Sequence, residues 1–112
     1  VRFDTWFYLA LAPAHTPPEA DGHEVEEAAW FEPAAALEAH ARDELDLVFP
    51  TIKMLEQLRA HTTSEEAIAA ARDREIVPVQ PRVVGEGDKR RIVVPGESGY
   101  EEGREPDWSK EP

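Results

Sequence analysis

Glu24, Glu26 and Glu27 are the residues whose type and spacing come closest to chemistry in this chain. In an extended segment, alternation puts Glu24 and Glu26 on one face and Glu27 on the other, with Val25. Carboxylates grouped at the mouth of a site can hold Mg²⁺, a cation that takes oxygen ligands and shares them with substrate phosphates. The same charges serve equally as a solvated strand edge that discourages edge-to-edge association, and spacing alone favours that plainer role. Arg2 and Asp4 form a second candidate. An arginine at the end of a buried strand can hold a phosphate through two N–H groups, with Asp4 orienting it. The alternative is an ordinary ion pair at a sheet rim.

The remaining chemistry-bearing types carry less. His15, His23, His40 and His61 have no metal-ligand spacing, and the chain has no cysteine, which removes thiolate nucleophiles, disulfides and cysteine-based zinc sites together. His15 and His23 flank a loop, whereas His40 and His61 fall near helix ends, where a cation suits the dipole. Thr51 and Ser64 read as capping residues, since neither has an adjacent base. Gly85-x-Gly87 and Gly96-x-x-Gly99 lack the strand–loop–helix context of a phosphate cradle and read as turns. Trp30-Phe31 reads as core.

Any such site needs a frame. Val1 to Leu11 has the pattern of a strand, with Val1, Phe3, Thr5, Phe7, Leu9 and Leu11 on one face and Arg2, Asp4, Trp6, Tyr8 and Ala10 on the other. Both faces are apolar from Trp6 onward, as in a central strand of a layered α/β sheet. A strand of this kind needs neighbours. With Met54 the only methionine and no turn ahead of Val1, the expectation is the downstream half of a larger domain. Residues 13–22 are a proline-rich loop, and His23 to Phe31 is a second expected strand.

Pro33 suits the first position of a short helix through Glu38. Ile52, Leu55 and Leu58 share a stripe, which predicts an amphipathic helix over residues 51–61 after Pro50. Thr63-Ser64-Glu65-Glu66 is a capping-box pattern that opens another helix, running to Arg72. Val83-Val84 and Ile92-Val93-Val94 can pair as a hairpin across Gly85-Glu86-Gly87-Asp88. From Glu97 onward, composition predicts a disordered acidic tail.

The chain is 112 residues long, 41% apolar, with a formal charge of −12. That field repels phosphate backbones, so nucleic acid is not an expected partner. No stretch approaches the length of a membrane span, and a soluble cytoplasmic protein is the default expectation. The residues alone reach no further than an acidic part of an α/β domain.

Taken in order, the segments resemble the region downstream of the signature box in Nudix hydrolases. Phe3-Asp4-Thr5-Trp6-Phe7-Tyr8-Leu9-Ala10 resembles a strand of the branch that includes acyl-coenzyme A diphosphatases. Glu24-Val25-Glu26-Glu27-Ala28-Ala29-Trp30-Phe31 is similar to the family's E-hydrophobic-x-x-A-x-W strand, and Pro33 to Leu37 to the short helix after it. Leu47-Val48-Phe49-Pro50-Thr51-Ile52-Lys53-Met54-Leu55-Glu56-Gln57-Leu58 resembles the closing helix. Val79 to Val84 and Pro95 to Tyr100 are similar to a C-terminal extension in bacterial relatives.

The resemblance implies a partial Nudix α/β/α sandwich with a mixed sheet, a C-terminal β-hairpin extension and a disordered tail. Its segments are residues 1–61, the second half of the hydrolase domain; 62–96, the helix and hairpin extension; and 97–112, the tail. It implies hydrolysis of a nucleoside diphosphate linked to another moiety, of coenzyme A or ADP-ribose type, with Mg²⁺ or Mn²⁺ neutralising the diphosphate for in-line attack by water. A homodimer is compatible with it. The metal-binding box, a Gly-rich loop and helix with an Arg-Glu-x-x-Glu-Glu core, is not in this sequence, and its place would be ahead of Val1. No metal ligand therefore carries over, and the chain alone is expected to be inactive. Glu24 and Glu27 are left as supporting carboxylates, with Arg2 and Asp4 as substrate contacts. The competing expectation is a non-catalytic acidic interaction or regulatory module.

Overall fold

The computed structural model describes residues 5–15, 17–25 and 27–107. Among them are three α-helices, one two-stranded antiparallel sheet and two short 3-10 turns, so the content is mixed α/β. The chain divides into two compact units, one running to Arg74 and the other beginning at Glu75.

Among the described residues, the sheet expected in the first unit does not form. Residues 5–12 and 27–31 lie outside helix and strand, and Trp6, Phe7, Tyr8, Leu9, Leu11, Trp30 and Phe31 are exposed rather than buried. Alternation sets which side chains would face the layers of a sheet, but a strand persists only where a neighbour takes its N–H and C=O groups. Residues 5–12 make no backbone–backbone hydrogen bond with any other described residue. The first four residues of one expected strand, and Glu26 of the other, lie outside the described residues.

The helices of this unit follow their local signals. Helix α1 (Pro33–Ala41) starts on its proline, and helix α2 (Phe49–Leu58) carries Pro50 in its first turn, where a missing N–H leaves no hydrogen bond unmade. α1 runs three residues past the expected end, and α2 begins two residues before its expected start and ends three before its expected end. The two helices pack together, and α1 buries the small side chains of Ala36 and Ala39.

His40 holds the loop between them. Its Nδ1 lies 3.0 Å from the Leu45 carbonyl and 3.3 Å from the Leu47 amide, so one tautomer donates to the first and the other accepts from the second. Helix α3 (Ser64–Asp73) ends next to Arg74, whose guanidinium donates to Gln57 Oε1 on α2.

The start of α3 is a capping arrangement. Thr63 Oγ1 accepts the Glu66 N–H at 3.1 Å, and Glu66 Oε2 accepts from the Thr62 N–H at 3.0 Å and the Thr62 hydroxyl at 2.8 Å. The Thr62 N–H and hydroxyl hold the Glu66 carboxyl below its usual range. A carboxyl lowered by folding stabilises above its unfolded value and loses that effect as pH falls through its folded value. The first turn of α3 should therefore fray on acidification below the usual glutamate range. Thr63→Ala should cost α3 about 1 kcal/mol at neutral pH. Amide shifts of Ser64 to Ala67 against pH check both; a first turn indifferent to either change refutes the cap.

The second unit is built on a hairpin. Strand β1 (Arg82–Val84) pairs antiparallel with β2 (Arg91–Val93), joined by a turn that includes the 3-10 segment Gly87–Lys89. The register sets Arg82 opposite Val93, Val83 opposite Ile92 and Val84 opposite Arg91. Cross-strand partners share a face, so Val83 and Ile92 lie on one side and Arg82, Val84, Arg91 and Val93 on the other.

Residues 97–107 carry structure where composition predicts a tail. Arg104 exchanges two backbone hydrogen bonds with Val83, at 2.8 and 2.9 Å, and so lines the free edge of β1. The ring of Tyr100, in the 3-10 turn Tyr100–Glu102, stacks on the Arg82 guanidinium at 4.2 Å, and its hydroxyl donates to Gln80 O. Stacking and backbone pairing supply an order that acidic composition alone does not reveal.

Candidate functional site

Glu24 and Glu27 sit in the irregular stretch between the proline-rich loop and α1, and both are exposed. The approach to them is an aspartate turn: Asp21 Oδ1 accepts the N–H groups of His23 and Val25, each at 2.9 Å, while Gly22 N–H donates to Val25 O. Gly22 takes φ +78°, a left-handed conformation natural to glycine. The two amides, Val25 first, hold the Asp21 carboxyl below its ordinary value. This turn sets the course of the chain into Glu24.

Among the described residues, no group of three His, Asp or Glu side chains is placed to hold a metal ion. Mg²⁺ and Mn²⁺ take several converging oxygens, and among the described residues Glu24 and Glu27 are not part of such a group. Arg2 and Asp4, the expected substrate contacts, lie outside the described residues.

The first unit has instead an open cleft of about 610 Å³. Leu9, Leu11, Trp30 and Phe31 form an apolar wall, and Arg59 and His61 lie at the end of α2. Thr62, Thr63 and Ser64 also line it, but the Thr62 hydroxyl donates to Glu66 and the Thr63 hydroxyl accepts from it. Through Glu66, those two hydroxyls take part in capping α3. The lining of the cleft thus combines aromatic and aliphatic side chains with Arg59 and His61.

Neither Glu24 nor Glu27 lines the cleft. Arg59 and His61, which do line it, lie some thirty residues from Trp30, beyond the reach of any local sequence pattern. Among the described residues, no helix is long and apolar enough to cross a membrane. Compared with known proteins, the chain matches no protein-family model, and neither a curated protein nor a solved structure is significantly similar to it.

Proposed function

We propose that this chain is the portion of a Nudix-type hydrolase that follows the metal-binding signature. The substrate would be a nucleoside diphosphate linked to another moiety, of coenzyme A or ADP-ribose type. The observation that carries the reading is the order of the motifs: Phe3 to Ala10, Glu24 to Phe31, Pro33 to Leu37, then Leu47 to Leu58. The exposure of residues 5–10 supports it, since apolar residues whose backbone has no backbone partner among the described residues are what a strand shows without its sheet.

The reading assigns the metal ligands to none of the described residues. Mg²⁺ or Mn²⁺, when bound by the complete enzyme, would neutralise the diphosphate. This chain's part is to complete the scaffold and present Glu24 and Glu27 near it.

The test compares the 112-residue chain with the joined protein, the product of the complete open reading frame that encodes it. The joined protein should release AMP from ADP-ribose, or phosphopantetheine from coenzyme A, in a reaction abolished by EDTA. The 112-residue chain alone should release neither. Metal-dependent turnover by the isolated chain would refute the division of labour proposed here. A joined protein inert on both substrate types would favour the acidic interaction module, a reading the open cleft and exposed apolar wall also suit.

A further inference from the structure

The two edges of the hairpin differ. On the β1 side, Val83 exchanges two backbone hydrogen bonds with Arg104, at 2.8 and 2.9 Å. The N–H and C=O of Val83 therefore point away from β2. In an antiparallel pair, hydrogen-bonded and non-hydrogen-bonded positions alternate. Val83 and Ile92, which stand opposite each other, are thus a non-hydrogen-bonded pair. The N–H and C=O of Ile92 accordingly point out of the β2 edge, and no described residue takes either group.

The charge at this edge is the reverse of the chain's. Lys89, Arg90 and Arg91 are consecutive and exposed where the chain enters β2, in a sequence of net charge −12. Glu86 and Asp88 precede them in the turn, so the positive charge is concentrated at the strand. Arg91 donates to the Ser98 carbonyl, a neutral partner that leaves its charge uncompensated. Basic side chains on an edge strand keep like edges apart, and a second copy would bring the same run to the same place. A strand of opposite sign meets no such barrier.

We propose that the free edge of β2 accepts an extended acidic segment of another protein as an added antiparallel strand. One residue of that segment exchanges two backbone hydrogen bonds with Ile92. In this register the residues after it stand opposite Arg91, Arg90 and Lys89 in turn, where carboxylates make opposite-charge cross-strand pairs. The residues before it stand opposite Val93 and Val94, where β-branched side chains suit a strand. This role is independent of any hydrolase activity.

The experiment titrates the 112-residue chain with the acetylated peptide Thr-Val-Val-Glu-Glu-Glu and follows amide exchange by residue. At saturation the Ile92 amide should exchange at least about 10-fold more slowly than in the free chain. The Arg91 and Val93 amides, which the same alternation pairs with β1, should change less. A methyl group on the backbone nitrogen of the peptide's second valine, the residue opposite Ile92, should weaken binding about 10-fold. Lys89→Glu, at an exposed position, should weaken it roughly 5-fold, with slow exchange of the Val83 amide showing that the hairpin still forms. The peptide Thr-Val-Val-Lys-Lys-Lys should leave Ile92 unprotected. The inference is overturned if the acidic peptide fails to protect Ile92, or if the lysine or methylated peptide protects it equally. It is also overturned if Ile92 is already protected in the free chain by self-association.

Discussion

Val93→Lys should unfold the hairpin unit. Val93 is completely buried, and the register sets it directly opposite Arg82, whose guanidinium lies over the Tyr100 ring. An ammonium there loses its water beside a like charge, a change worth about 3–5 kcal/mol. The unit has little reserve against such a loss: Val83 and Val93 are its only described residues with fully buried side chains. Units this small have few apolar contacts from which to draw stability. The expected result is collapse of amide dispersion for residues 80–104 and loss of the slow exchange of the Val83 and Arg104 amides, which pair with each other's carbonyls. Val93→Ile, close in shape, should cost less than about 1.5 kcal/mol and keep the dispersion. A Lys variant with unchanged shifts would show that Val93 is not the keystone of the unit.

Gly85→Ala should act on the same unit through the backbone. Gly85 follows β1 with φ +79°, a conformation costly for a residue with a Cβ. A Cβ there would also run into the main-chain oxygen of Lys89, an atom held by the turn itself and not free to swing away. Strain and clash together should cost roughly 3 kcal/mol, enough to shift or open the turn. The readout is the cross-strand contact between Val84 and Arg91, the pair nearest the turn, which should vanish from nuclear Overhauser spectra. Gly87 offers a control. It too has positive φ, but a Cβ would meet nothing within 4 Å, so Gly87→Ala bears only the conformational cost, about 1 kcal/mol. Equal effects of the two substitutions would mean that the Lys89 contact carries no weight.

Both predictions concern the part of the chain whose secondary structure was most legible. Gly85-Glu86-Gly87-Asp88 between two valine-rich runs announces a reversal, and the hairpin forms there. Thr63 and Glu66 announce the start of α3 in the same way, and Pro33 and Pro50 mark the first turns of α1 and α2. Each of these signals acts between residues no more than a few positions apart, so a reader of the sequence has every participant in view.

Residues 97–107 went the other way. Their acidic composition argues against order, yet Tyr100 reaches Arg82 and Gln80, and Arg104 reaches Val83, each about twenty residues distant. The candidate site behaved similarly. Glu24 and Glu27 are grouped by sequence, but among the described residues they join no group of three possible metal ligands. Arg59, His61, Trp30 and Leu9, far apart along the chain, are gathered around one cleft.

By itself, then, the sequence determined where helices begin, where the hairpin turns and that Trp6 to Leu11 has two apolar faces. These follow from proline, threonine, glycine and alternation acting over a turn or a strand's width. Only the tertiary structure decided which of these elements found partners. The hairpin gained a third backbone partner at Arg104, whereas residues 5–12 have none among the described residues. The physical reason is that a helix closes its hydrogen bonds within its own segment, while a strand depends on backbone groups from elsewhere, and alternation does not say where those groups are.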